Sequence, residues 1–139
     1  MKYKTITDIF AEKKNVNIGY IVAGYPSTQF TKEFLTKLDD SAIDILEIGI
    51  PYSDPLADGK HIAEASFAAS QAGVTTDVVF DLLNSVKEKV HKPLVFLVYY
   101  NLVFAYGVEA FVKRSAEIGI KHDFEEYGVR VNAAAHYTQ

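Results

Sequence analysis

Two kinds of apolar pattern alternate along the chain. Segments that are apolar on both faces of an extended backbone predict buried strands at residues 17–23, 42–50 and 93–100. Segments with apolar residues at helical spacing predict helices at 6–14, 28–38, 61–72, 76–86 and 107–118. Strands separated by helices imply β-α-β crossovers, so the pattern predicts an α/β fold with a parallel sheet.

The second predicted strand carries a carboxylate inside an apolar row. Ile45 and Glu47 share one face of this strand, and Leu46 and Ile48 share the other. Both faces are otherwise apolar, so we expect Glu47 to lie among buried side chains. A carboxylate in such a place is unfavourable unless it is paired, protonated or used in chemistry. A buried glutamate held by backbone donors is the alternative interpretation.

A long loop with two further acids follows this strand. Strand-to-helix connections in α/β proteins usually take roughly 2–6 residues, whereas Gly49 to Gly59 takes eleven. Long structured loops at the carboxyl ends of parallel strands often carry the chemistry of such folds. Asp54 and Asp58 also suit tight turns. Asp58 is the better candidate for chemistry, because a second acid near Glu47 allows two carboxyl groups to take different protonation states.

Composition excludes several classes of protein. A chain of 139 residues with 49% apolar residues suits one folded domain, and it has no cysteine for a disulfide or a thiolate metal site. The net charge of −4 argues against nucleic-acid and anionic-membrane partners. The four histidines lack metal-ligand spacing, so we expect no metal site. The lack of cysteine and of any membrane-length apolar run is compatible with the cytoplasm.

One family matches these features closely. The segment LEIGIPYSDPLADG at 46–59, supported by YIVAGYP at 20–26, AGVT at 72–75 and YNLVF at 100–104, resembles the tryptophan synthase alpha-chain family. The resemblance extends over about residues 1–121. It implies part of an eight-unit β/α barrel, so we expect a half TIM-type barrel. A flavodoxin-like doubly wound sheet is the alternative for so few strands.

The resemblance implies a lyase reaction, the retro-aldol cleavage of indole-3-glycerol phosphate to indole and glyceraldehyde 3-phosphate. Glu47 falls on the position of the family's general acid/base, and Asp58 on that of the aspartate that holds the indole N–H. Tyr20, Leu97 and Tyr99 fall on positions that line the indole pocket, although a plain core role remains open for them.

The resemblance also implies a protein partner. Pro51, Asp54 and Asn101 fall on positions that meet the tryptophan synthase beta chain, which receives indole and uses pyridoxal phosphate. This chain itself is expected to need no cofactor. A pure interaction module that keeps the loop for the beta chain is one alternative function.

Two features depart from the family. Residues 122–139 do not continue the expected apolar fourth strand, and we interpret them as a non-family tail with a helix end and a strand. Such barrels typically need about 250 residues and bind phosphate after strands 7 and 8. We therefore expect little or no turnover from this chain alone.

An open half-barrel also exposes surfaces that a closed barrel covers. We expect its inward side chains, including Ile45, Val95 and Leu97, to meet water, and its end strands to offer unpaired backbone groups. These properties predict a homo-oligomer. They also leave open a non-catalytic, truncated, recombined or engineered scaffold as the alternative to an enzyme.

Overall fold

The computed structural model describes residues 3–54, 58–120 and 129–132. The strands are β1 (Ile18–Val22), β2 (Ile45–Gly49), β3 (Leu94–Tyr99) and β4 (Val129–Asn132). The helices are α1 (Ile6–Glu12), α2 (Thr28–Thr36), α3 (Lys60–Gln71), α4 (Thr76–Val86), α5 (Tyr100–Tyr106) and α6 (Val108–Ser115), which runs on into a π-helical turn, Ala116–Ile120. The helix end predicted in the first part of the 122–139 tail lies outside the described residues, and so do residues 55–57 of the long loop.

The strands form one parallel sheet in the order β1-β2-β3-β4. This sequential order confirms the predicted parallel β/α units. The flavodoxin-like alternative is wrong, because in that fold β1 would lie between β2 and β3. Here β2 pairs with both β1 and β3.

The main core lies between the sheet and the helices that cover it. Leu46, Ile48 and Phe96 project from β2 and β3 and are fully buried. The ring of Phe96 meets those of Phe80 in α4 and Phe111 in α6, with centroid distances of 5.7 Å in both cases. These contacts fix α4 and α6 on the outer face of the sheet.

The opposite, inner face of the sheet has a small core of its own. Ile45 and Val95 are 3% and 5% exposed and pack with Ile9 of α1. The expectation that these two side chains meet water is therefore wrong, because the amino-terminal helix covers them. Leu97, nearer the carboxyl end of β3, is half-buried.

Local signals determine where the helices begin. The side chains of Thr5, Ser27 and Thr75 accept hydrogen bonds from the first-turn amides of α1, α2 and α4. After β1 the chain turns at Gly24, whose φ of 84° favours glycine. A Cβ at Gly24 would also lie 2.6 Å from Val74.

Two acids fasten the amino-terminal side of the sheet. The Asp44 carboxylate accepts from the amide of Asn17 at 2.8 Å and from Nζ of Lys13 at 2.7 Å. Asp39 binds both the amide and the imidazole of His91, at 2.9 and 2.7 Å. These contacts join the segments that lead into β1, β2 and β3, at the end of the sheet opposite the predicted site. Within the described part of the chain, no helix is long and apolar enough to cross a membrane.

Candidate active site

The predicted acids lie towards the carboxyl end of the sheet. Glu47 is half-buried near the end of β2 and aligns with Tyr20 of β1 and Val95 of β3. Aligned residues in a parallel sheet share a face, so Tyr20 and Glu47 lie on the inner face together. Leu97 and Tyr99 continue the same face along β3. Four of the sequence-predicted site residues are thus brought to one surface.

A missing side chain at Gly49 makes room for Tyr20. A Cβ built on Gly49 would lie 2.0 Å from the Tyr20 hydroxyl oxygen and 2.8 Å from its ring carbon Cζ. The phenol of Tyr20 therefore lies directly over the backbone of β2, two residues beyond Glu47. Sequence analysis did not single out Gly49, although an isolated glycine within a strand signals such a close approach.

The surroundings of Tyr20 connect it to both acids. Burial raises the pKa of the Tyr20 phenol well above its ordinary value, and the negative charges of Asp58 and Glu47 raise it further. We call Tyr20, Glu47, Asp58 and Tyr99 the acid–tyrosine cluster.

Asp58 is held by the strand beside the one that carries Glu47. The hydroxyl of Tyr99 donates a 3.0 Å hydrogen bond to Oδ2 of Asp58. Tyr99 is only 5% exposed, and Asp58 is half-buried. The contact joins the end of the long loop to the last residue of β3. It therefore places Asp58 beside the inner face of the sheet.

The beginning of the loop is held by contacts that sequence analysis missed, although it selected Asn101 as a residue that meets a partner. The amide of Tyr52 donates to Oγ of Ser66 in α3 at 2.8 Å, and that hydroxyl donates to the Tyr52 carbonyl at 3.1 Å. The ring of Tyr52 packs on Tyr99 with a centroid distance of 4.9 Å, and its hydroxyl accepts from Nδ2 of Asn101. These contacts join segments that are distant in the chain, so no sequence spacing predicts them.

The three residues predicted to meet a partner differ in exposure. Pro51 is buried, Asn101 is half-buried and Asp54 is exposed. Of these, Asp54 is the residue whose side chain is open to a second protein. Among the described residues, no group of three or more potential ligands could hold a metal ion.

This arrangement suits proton transfer beside an aromatic ligand. Glu47 aligns with the phenolic Tyr20 and the apolar Val95 on the inner face, and Asp58 accepts a hydrogen bond that orients its carboxylate. Two acids in different surroundings can divide the roles of proton carrier and charge stabiliser.

Comparison with known proteins identifies the family of the chain. A sequence profile for the family described as tryptophan synthase alpha chain matches residues 6–122. The tryptophan synthase alpha chain of Campylobacter jejuni subsp. doylei is 53% identical over 108 residues, which are 78% of this chain and 43% of the relative. That of Flavobacterium johnsoniae is 44% identical over 83% of this chain and 46% of the relative. The chain thus spans less than half the length of these curated relatives.

Solved structures give the same answer for the fold. The alpha subunit of tryptophan synthase from Campylobacter jejuni superposes with a TM-score of 0.71 at 51% identity, over 77% of this chain and 42% of that one. The alpha subunit from Legionella pneumophila gives a TM-score of 0.75 at 30% identity, over 81% and 44%. The parallel β/α units are therefore part of a TIM-type barrel, as predicted. The chain belongs to the tryptophan synthase alpha-chain family.

Proposed function

We propose that this chain carries the paired carboxylates of an indole-3-glycerol phosphate lyase, with Glu47 as general acid/base and Asp58 as the group that binds the indole N–H. The observation that carries the proposal is that Glu47 aligns with Tyr20 on the inner face of the sheet, while the hydroxyl of Tyr99, on the same face, holds Asp58 at 3.0 Å. Family membership supports the same assignment.

In the proposed reaction, Glu47 first gives a proton to C3 of the indole ring, which makes a cationic indolenine. As a carboxylate it then takes the proton of the hydroxyl on the adjoining glycerol carbon. The bond between C3 and that carbon breaks, and its electron pair returns to the ring and neutralises the cation. The O–H electron pair becomes the second bond of the aldehyde. One proton is given and one is taken, so Glu47 returns to its starting state.

Asp58 has a different part in this scheme. Its carboxylate accepts the indole N–H and stabilises the positive charge that develops on the ring. The Tyr99 hydroxyl, at 3.0 Å, orients that carboxylate before substrate arrives. Tyr20, Leu97 and Tyr99 are proposed to line the flat indole ring, since all three lie on the inner face beside the acids.

The proposal includes little or no turnover by the 139-residue chain alone. In β/α barrels the phosphate site usually lies in the loops after strands 7 and 8, and the described sheet has four strands. Binding energy from a remote phosphate normally helps to position the reacting carbon atoms. We accordingly propose that this chain binds indole more readily than it cleaves the full substrate.

We further propose that the loop meets a tryptophan synthase beta chain through Pro51, Asp54 and Asn101. Exposed Asp54 offers a charge for that contact. The beta chain supplies the pyridoxal phosphate chemistry, and this chain binds no cofactor in the proposal. We propose a cytoplasmic location for this chain, with which its lack of cysteine is compatible.

Self-association as a non-catalytic scaffold is a second candidate function. Ile18 on β1 is 54% exposed and Phe104 on α5 is 71% exposed, which favours contact with another apolar surface. In this version residues 122–139 are a non-family tail. Light scattering over a range of concentrations tests the idea, and a monodisperse monomer throughout would remove it.

The lyase proposal is tested through the product. The chain contains no tryptophan, so indole fluorescence reports ligand alone. We expect the native chain to bind indole and Asp58→Asn to bind it much more weakly.

With a beta chain and indole-3-glycerol phosphate present, we expect slow indole release that is lost in Glu47→Gln. It should persist in Glu12→Gln, which changes an exposed acid paired with Lys4. Failure of the native chain to bind indole, or release unchanged in Glu47→Gln, would overturn the proposal. Co-elution with the beta chain without cleavage would instead support an interaction module.

A further inference from the structure

We propose that Tyr52 is a positioning residue for Asp58, acting through Tyr99, and that Ser66 and Asn101 hold Tyr52 for this purpose. The inference rests on the proposed function of Asp58. It adds Tyr52 and Ser66, to which the family resemblance gave no role, and it gives a second role to Asn101, which was predicted above to meet the beta chain.

The first step is the attachment of Tyr52 to α3. Ser66 is 4% exposed, and its hydroxyl binds both the amide and the carbonyl of Tyr52, at 2.8 and 3.1 Å. One buried side chain thus satisfies both backbone polar groups of a single loop residue. This double contact fixes the backbone of Tyr52 relative to the helix that begins just after Asp58.

The second step is the attachment of the Tyr52 side chain to the end of β3 and the start of α5. Its hydroxyl accepts from Nδ2 of Asn101. The other end of that amide, Oδ1 of Asn101, is buried and has no hydrogen-bond partner among the described residues. If the Tyr52 hydroxyl were lost, Nδ2 of Asn101 would lose this hydrogen bond. Both polar atoms of the side chain would then be unpaired among the described residues. The amide thus favours the position in which Tyr52 reaches it.

The third step connects Tyr52 to the acid. The Tyr52 ring packs at 4.9 Å, tilted by 40°, against the ring of Tyr99. The hydroxyl of that same ring donates to Oδ2 of Asp58 at 3.0 Å. A shift of the Tyr52 ring thus changes the space available to the Tyr99 phenol and, through it, the direction of the carboxylate. The beginning of the loop therefore positions the acid near its end.

The experiment uses the full chain with tyrosine labelled at the ring carbon Cζ, and it has two readouts. The first is the NMR resonance of Tyr99, assigned from its loss in Tyr99→Phe. We expect Tyr52→Phe to move this resonance in the same direction as Asp58→Asn does, because both weaken the contact between Tyr99 and Asp58. Tyr3→Phe, which removes an exposed phenol elsewhere, is the matched control and should leave it in place.

The second readout is the affinity for indole, measured by its fluorescence. We expect Tyr52→Phe to weaken binding roughly fivefold, the effect of one lost hydrogen bond on orientation. Ser66→Ala is a second variant that releases the Tyr52 backbone, and we expect it to change both readouts in the same direction. Ser85→Ala, which removes an ordinary bond to the carbonyl of Leu82 within a helix, should change neither.

The outcomes separate the two proposals. A shifted Tyr99 resonance in Tyr52→Phe and Ser66→Ala supports the positioning role even if the native chain binds no indole, a result that would defeat only the proposed function. An unmoved Tyr99 resonance in both folded variants overturns the positioning role, whatever the indole affinity shows.

Discussion

The Tyr99 hydroxyl donates a 3.0 Å hydrogen bond to the carboxylate of Asp58, although 41 residues separate them in the chain. Tyr99→Phe removes the donor and keeps the ring. We expect stability to fall by about 1 kcal/mol and indole affinity to fall roughly fivefold, measured by denaturant unfolding and by indole fluorescence. Tyr106→Phe breaks a contact with Asp77 on an exposed surface. It should leave indole affinity unchanged, and equal loss of affinity in both variants would contradict the specific role of Tyr99.

The position of Tyr20 over Gly49 predicts a strong effect of a single methyl group. In Gly49→Ala the new Cβ would lie 2.0 Å from the Tyr20 hydroxyl oxygen, so the phenol must move. We expect a loss of stability of about 1–3 kcal/mol, as for other overpacked sites, together with weaker indole binding. Gly59→Ala is the matched control, because a Cβ there meets none of the described residues within 4 Å. Comparable unfolding midpoints for the two variants would contradict the close approach of Tyr20.

The cover that α1 gives to the inner face predicts an effect far from the acids. Ile9 is 4% exposed and packs with Ile45 and Val95, whereas the next residue, Phe10, is 56% exposed. We expect Ile9→Ala to lower the free energy of unfolding by about 2–4 kcal/mol and Phe10→Ala to change it little. Greater self-association of Ile9→Ala, seen by light scattering, would show that the uncovered face is adhesive. A neutral Ile9→Ala would contradict the packing of α1 on the sheet.

Asp44 predicts a pH dependence of stability. The Asn17 amide and the Lys13 ammonium group hold the pKa of the Asp44 carboxyl below its ordinary value of 3.8. A pKa that is lower in the folded chain stabilises it at pH values above the ordinary pKa. That contribution is lost as the pH falls through the lowered value.

The native chain should therefore exceed Asp44→Asn in free energy of unfolding by the largest amount above about pH 5. This difference should shrink towards more acidic pH. Urea unfolding at a series of pH values measures it. Glu12→Gln, which breaks the exposed pair with Lys4, should differ little from the native chain at any pH. A constant difference for Asp44→Asn down to the acid limit of folding would contradict the lowered pKa.

Much of the fold was predictable because local signals agreed with the tertiary structure. The apolar rows of β2 and β3 and the helical spacing of the apolar residues in α2 and α4 all act within a few residues. Helix α5 was missed for an identifiable reason: β3 passes into it at Tyr99–Tyr100 with no turn residue and no side-chain cap. A continuous apolar run therefore hid the boundary between strand and helix.

The candidate site also has a part that could be predicted from the sequence and a part that could not. Glu47 and Asp58 could be selected from an acid in an apolar strand and an acid at the end of a long loop. The contacts that organise them could not, because Tyr52, Ser66 and Asn101 come from three segments with no shared spacing. Burial of Ile45 and Val95 was also out of reach, since it depends on where α1 lies in space.

The central claim is that Glu47 and Asp58 both lie near one phenol, that of Tyr20, and NMR of the Tyr20 ring carbon Cζ tests it most directly. The resonance is compared between the native chain and three variants at one pH, while circular dichroism shows that each chain stays folded. We expect Glu47→Gln and Asp58→Asn each to shift the resonance, and the double variant to shift it further. A Tyr20 resonance at the same position in the native chain and in all three variants would contradict the account.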